Sequence, residues 1–181
     1  PISALLLEPR QPHPPARAGT ADAAERRLRQ AVARTLGALM SRDESIVLPM
    51  GDADVVADLS TPEGRRRAAD EVLARSGGQL DGAVLAAGMG PAAGTGRMIV
   101  EVNVFGVTEL LTAWRPALAA GAKAKVVVFG SNSTTVTPLV PKSAIRRLLD
   151  GDPEGAVQVI RRRRGVTGPV AYASSKIAVT Q

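Results

Sequence analysis

Tyr172 and Lys176 stand four residues apart in the run Tyr172-Ala173-Ser174-Ser175-Lys176. On a helix that offset puts the phenol and the ammonium on one face. An isolated tyrosine titrates near ~10, too high for a base at neutral pH. An ammonium beside it favours the phenolate and makes the tyrosine a usable general acid/base. Taken alone, the pattern reads equally well as a surface Tyr-Lys pair, so its meaning depends on what the rest of the chain places around it.

The chain has 181 residues, of which 45% are hydrophobic and 22% charged, a balance that suits one folded domain with a substantial core. Aromatic residues make up 2%, so that core must be built from Ala, Val, Leu and Ile. There is no cysteine and one histidine, His13, which excludes disulfides, thiolate metal sites and a histidine-rich metal centre. The formal net charge of +6 rests on arginine clusters at Arg65 to Arg67, Arg146-Arg147 and Arg161 to Arg164. No aromatic platforms accompany them, so they are read as solvated helix faces, and no nucleic-acid partner is expected. No apolar stretch reaches the ~20 residues of a membrane span, and Ile2 to Leu7 lacks the basic flank of a signal peptide. The expectation is a cytoplasmic protein with no membrane partner.

The elements that must position the pair are marked by apolar runs and turn residues. Strands are expected at Ile2 to Leu7, Ile46 to Leu48, Asp54 to Ala57, Asp81 to Ala86 and Val126 to Phe129, the last uniformly apolar as a strand buried on both faces should be. A helix capped near Thr20-Ala21-Asp22 should run to about Met40. Ser60 or Thr61 before Pro62 and Glu63 is a strong start for a helix ending at Arg75, before Ser76-Gly77-Gly78. A longer helix is expected from Met98 to Ala119. After a Ser/Thr-rich loop come a helical segment from Lys142 to Arg163 and a final helix beginning near Ala171. Strands alternating with helices predict an α/β fold with a doubly wound parallel sheet, whose ligand lies beyond the carboxyl ends of the strands. Asp58, the Ala86-Ala87-Gly88 turn and Ser131 all fall at such ends.

From about Asp52 onward the sequence resembles the short-chain dehydrogenase/reductase family. The resemblance is carried by Asp58-Leu59 after the third strand, Ala86-Ala87-Gly88 after the fourth, Asn103-Val104-Phe105-Gly106 in the next helix, and Val126-Val127-Val128-Phe129-Gly130-Ser131 ahead of Tyr172 and Lys176. The stretches Asp52 to Thr61 and Asp81 to Leu85, and the long link from Ser131 to Tyr172, look like the hydroxysteroid dehydrogenase/carbonyl reductase branch.

The resemblance implies a Rossmann-like domain over 1–181, with a divergent part at 1–50 and a helical insertion at 139–168. That insertion would shape the substrate site or a subunit contact, or be a tolerated surface insertion. The implied cofactor is NAD or NADP. Asp58 and Leu59 would meet the adenine, and Ala86 (where the family usually has Asn), Ala87 and Gly88 would line the dinucleotide. Ser131, with Ser133 as its alternative, would hydrogen-bond the substrate oxygen. Tyr172 would exchange the proton, Lys176 would lower the tyrosine pKa and hold the nicotinamide ribose, and Asn103 would position Lys176 and a water chain. The implied substrate is a small alcohol or ketone, such as a hydroxysteroid or another hydrophobic carbonyl compound. Family members pair into dimers or tetramers, so a homo-oligomer is expected.

Three departures accompany the match. Glu8 to Pro15 is bulky and rich in proline where the family has a glycine-rich turn. Pro49-Met50-Gly51 stands where an acid would choose between NAD and NADP. The sequence stops at Gln181, inside the helix of Tyr172, where the family continues with further strands. A truncated domain is therefore expected, and the alternative is a catalytically silent binding or assembly module of the same fold.

Overall fold

The computed structural model describes residues 55, 57–121, 123–162 and 167–181. The candidate strands at Ile2 to Leu7 and Ile46 to Leu48, the helix to Met40, and the cofactor-loop departures at Glu8 to Pro15 and Pro49 to Gly51 lie outside these residues.

Helix α1 spans Pro62–Arg75 and forms for local reasons. The Thr61 hydroxyl accepts the Gly64 N–H at 3.0 Å, Pro62 opens the first turn, and Glu63 faces the positive helix end. Gly77 and Gly78, at φ 62° and 75°, end it in the left-handed region that side chains avoid.

Strand β1, Gly82–Leu85, pairs in parallel with β2, Lys125–Val128, from Gly82↔Lys125 to Leu85↔Val128. Their connection is one continuous helical rod: α2 (Gly96–Val100), a π turn (Glu101–Phe105) and α3 (Gly106–Ala119). It starts ahead of the expected Met98, because Thr95 caps it by accepting the Met98 N–H. The strand–helix–strand unit is the expected building block of a doubly wound α/β sheet.

After β2 the Ser/Thr-rich stretch carries a short helix, α4 (Ser133–Val136), where a loop is expected. The segment from Lys142 to Arg163 is two helices, α5 (Lys142–Leu149) and α6 (Pro153–Arg161). Gly151 at φ 76° turns the chain, and the Asp152 carboxylate accepts the Gly155 N–H at 2.8 Å to start the second. The final helix, α7 (Thr167–Ala178), begins earlier than the expected Ala171.

Two apolar cores flank the rod. One gathers Leu59, Val72, Leu80, Ala83, Leu85, Val107, Leu110 and Trp114 from α1, β1 and α3. The other gathers Ile99, Val100, Val104, Leu148, Val157, Ile160, Val170 and Ala171 from α2, the π turn, α5, α6 and α7. The rod changes cores between Phe105 and Val107, at the end of the π turn. One extra residue in a turn rotates the next stretch of helix by about 100°, which re-aims the apolar stripe from one core to the other.

Four expectations need correction. Of the strand expected at Asp54 to Ala57, Asp54 and Val56 lie outside the described residues, and the two described ones, Val55 and Ala57, are in no strand and pack on the first of these cores. β2 starts at Lys125 and stops before Phe129, and it is not buried on both faces. Val126 is 44% exposed, since β1 is its one neighbour among the described residues and nothing described there covers its outer side. The 139–168 segment is no surface ornament, because Ala144, Leu148, Ala156, Val157 and Ile160 are all buried. Arg65, expected on a solvated face, is 3% exposed.

Among the described residues no helix is long and apolar enough to cross a membrane. No group of three or more His, Cys, Asp or Glu among them is placed to hold a metal ion.

Candidate active site

The carboxyl ends of β1 and β2 open side by side, and α7 reaches them through Lys176. Lys176 ties the helix down: its Nζ donates to the Phe129 carbonyl, one residue beyond β2, at 2.7 Å. The side chain is 8% exposed, and burial pushes its pKa below the ordinary lysine value. A buried ammonium with a backbone carbonyl partner is a costly arrangement that position, not stability, must explain.

Asn103 sits in the π turn and makes three hydrogen bonds. Its Oδ1 accepts the Met89 N–H at 2.7 Å, and its Nδ2 donates to the Met89 carbonyl at 3.0 Å and to Ser175 Oγ at 3.1 Å. The first two clamp the turn that comes after β1. The third reaches α7, beside Lys176. Gly88 closes the same group: a Cβ built there would lie 3.4 Å from Asn103 Oδ1 and 3.9 Å from Lys176 Nζ. This exposed glycine therefore lies against an amide oxygen and an ammonium, polar partners suited to the ribose hydroxyls of a dinucleotide. The residues present fit that group.

Tyr172 lies on α7, half buried against the core that contains α5 and α6. Ser131 Oγ accepts the Ser133 N–H at 3.1 Å, which holds the start of α4. Among the described residues Ser131 and Tyr172 share no hydrogen bond with each other. Nor does Asn103 contact Lys176 by a hydrogen bond; its amide is committed to Met89 and Ser175. Ala86 and Ala87 are half buried in the turn, Ala87 against the core of Trp114.

Asp58 is exposed, and its Oδ1 accepts both the Ser60 N–H at 2.9 Å and the Ser60 hydroxyl at 2.7 Å. These two bonds hold its carboxyl below the usual carboxylate range. Leu59 is buried, and its carbonyl accepts from Arg65 at 3.0 Å.

An ion network steadies the rod under Asn103. Arg65 forks onto Glu109 at 2.7 and 2.9 Å and reaches the buried Glu101 at 3.0 Å. Glu101 also receives Arg97 at 2.6 Å, and Arg97 bridges to Glu154 of α6. Bidentate, charge-assisted pairing offsets much of the cost of burying these groups. Sequence reasoning misses Ser175, Met89, the Phe129 carbonyl and this network. One signal was available: serine is a poor helix former, and Ser175 inside a helix points to a side chain that bonds something.

No protein-family model matches the chain. A 3-alpha-hydroxysteroid dehydrogenase/carbonyl reductase of Comamonas testosteroni is 40% identical over 130 residues, which are 71% of this chain and 50% of that protein. The crystal structure of a 3-alpha-hydroxysteroid dehydrogenase from Pseudomonas sp. B-0831, complexed with NADH, matches with a TM-score of 0.65 at 41% identity. That match covers 72% of this chain and 51% of the other. The chain spans about half the length of these relatives. By this likeness, and by the Tyr172–Lys176 helix seated beside Asn103 at the strand ends, the chain is a relative of the short-chain dehydrogenases/reductases.

Proposed function

We propose that the site performs oxidoreductase chemistry between a nicotinamide cofactor, NAD or NADP, and a small alcohol or ketone, with a hydroxysteroid or other hydrophobic carbonyl compound as the substrate class. The observation that carries this reading is the grouping of Gly88, Asn103 and Lys176 at the carboxyl end of β1, with Tyr172 one helical turn from Lys176.

Ala86, Ala87 and Gly88 would hold the cofactor from the turn, Lys176 would hold its ribose, and Asp58 with Leu59 would meet the adenine. When bound, the nicotinamide gives or takes the hydride. The chain's own part is acid/base and positional. Tyr172 passes a proton to or from the substrate oxygen at its phenol oxygen, and Ser131 donates a hydrogen bond to that same oxygen. Asn103 keeps the cofactor-side turn in register with α7. The partly buried apolar residues that pack on the same core as Tyr172, namely Met98, Ile145 and Val159, suit a hydrophobic substrate body. The solved relative carries NADH, which supports NAD(H) as the first cofactor to test. A silent binding module, the alternative from sequence, finds no support in relatives that are named as dehydrogenases.

Mixing the purified protein with NADH or NADPH and a ketosteroid or a quinone tests this reading. Loss of reduced-nicotinamide absorbance that depends on both partners is expected. A folded protein that shows saturable binding of neither nucleotide contradicts it.

A further inference from the structure

Two neighbouring serines on α7, Ser174 and Ser175, are both fully buried, yet they have opposite hydrogen-bonding fates. Ser174 Oγ has no partner. Ser175 Oγ has two: it donates to the Tyr172 carbonyl at 2.8 Å and accepts from Asn103 Nδ2 at 3.1 Å. A serine within a helix commonly returns its proton to a carbonyl one turn back. What is unusual is the second bond, which comes from a residue 72 positions away in sequence.

The carbonyl that Ser175 meets is the acceptor for the Lys176 N–H in the helical ladder. Ser175 therefore touches the one peptide group that joins the turn between Tyr172 and Lys176. At the other end of the chain of bonds, the Asn103 amide uses both Nδ2 protons, one on the Met89 carbonyl and one on Ser175, while its Oδ1 holds the Met89 N–H. The result is a continuous link from the turn after β1, through the π turn, to the backbone that carries Tyr172 and Lys176.

We infer that Ser175 is a positioning residue for the proposed reaction. It sets the height and rotation of the Tyr172–Lys176 turn relative to the Ala86–Met89 turn, acting through Asn103 and touching neither substrate nor cofactor. The role rests on the proposed oxidoreductase reading, so its test needs one arm that does not depend on turnover. Removing the hydroxyl leaves a buried Asn103 N–H without its acceptor and frees the clamp on Met89.

The experiment compares Ser175→Ala, Ser175→Cys and Ser175→Thr with the wild-type chain. Cysteine fills nearly the same space with a weak hydrogen-bonding group, and threonine keeps the hydroxyl. Steady-state kinetics with NADH and a ketosteroid give kcat and the cofactor KM, and amide hydrogen exchange reads the Met89 N–H. Ala and Cys are each expected to lower kcat about tenfold with the cofactor KM unchanged. Met89 exchange should quicken by roughly the same factor in both, while amides around Trp114 keep their protection. Thr should restore both readouts.

Cys matching wild type while Ala does not would reduce Ser175 to a space filler and overturn the inference. So would variants that leave Met89 exchange unchanged, or that lose protection evenly along the chain. If the wild type shows no turnover, the oxidoreductase reading falls, whereas Met89 exchange still decides whether Ser175 holds the link.

Discussion

The two cores that share the helical rod are built on different terms. The core around Trp114 is lined by apolar residues, and the charged group buried beside it, Arg65, is paired with Glu109 and Glu101. The core around α7 has polar groups set into it: Asn103, Ser174, Ser175 and Lys176 are all buried there. Three of these four are hydrogen-bonded and one is not. A stability argument favours the first arrangement, because each buried polar group needs a partner and a buried ammonium costs more than a hydrocarbon of its size. The second core makes sense only if those groups are wanted for what they do at the strand ends. The π turn separates the two, and such turns concentrate at functional sites.

The sharpest break of this comparison is in the apolar core. Trp114 is fully buried, with its Nε1 donating to the Ala69 carbonyl at 3.3 Å. Trp114→Ala should cost about 4 kcal/mol of unfolding free energy in a urea titration. A loss below about 1 kcal/mol would mean that this core is not what holds the fold.

Next in size is the ion network that Arg65 anchors. Arg65→Ala removes one of the two arginines that meet the buried Glu101, together with the fork onto Glu109, and should cost about 3 kcal/mol, measured the same way. Adding Glu101→Gln should recover part of that loss, because the buried carboxylate, left with Arg97 alone, is then neutral. If the single variant is as stable as wild type, the network does not steady the rod beneath Asn103.

The smallest effect is a pH slope in the polar core. Burial lowers the Lys176 pKa in the folded chain below its value in the unfolded one. Between those two values the unfolded chain binds more protons, so stability rises with pH there; the penalty is full below the folded-state value and gone above the unfolded one. Urea titrations at several alkaline pH values should show that rise in wild type and a flatter profile in Lys176→Met. Parallel profiles would place the Lys176 ammonium in water rather than in the core.

Much of this was legible in the sequence, and the reasons differ by region. Thr61, Pro62 and the Gly77-Gly78 pair spell out α1 locally, since capping and left-handed turns depend on residues next to one another. The strand–helix–strand order around β1 and β2 was equally plain from apolar runs. Asn103, Lys176 and Gly88 stand in motifs that the sequence displays, and the structure brings them together. Their partners were not legible: the Met89 backbone and the Phe129 carbonyl carry no side-chain signature, and Ser175 meets Asn103 only through tertiary packing. The π turn also left no periodic mark, because one extra residue hardly disturbs a helical pattern in a rod that is apolar on more than one side. The exposure of Val126 shows the converse failure, since an apolar run reports what a strand can bury and not what covers it.

The central claim is that Tyr172, held beside Lys176 on α7, carries the proton in a nicotinamide-dependent reaction. Tyr172→Phe, which removes one hydroxyl from the chain's single tyrosine, tests it most directly when nucleotide binding and turnover are measured on the same samples. The variant should bind NADH within about twofold of wild type, a change of under 1 kcal/mol, while kcat for carbonyl reduction falls by on the order of a thousandfold. Reduction of the carbonyl compound by Tyr172→Phe at the wild-type rate would contradict the account.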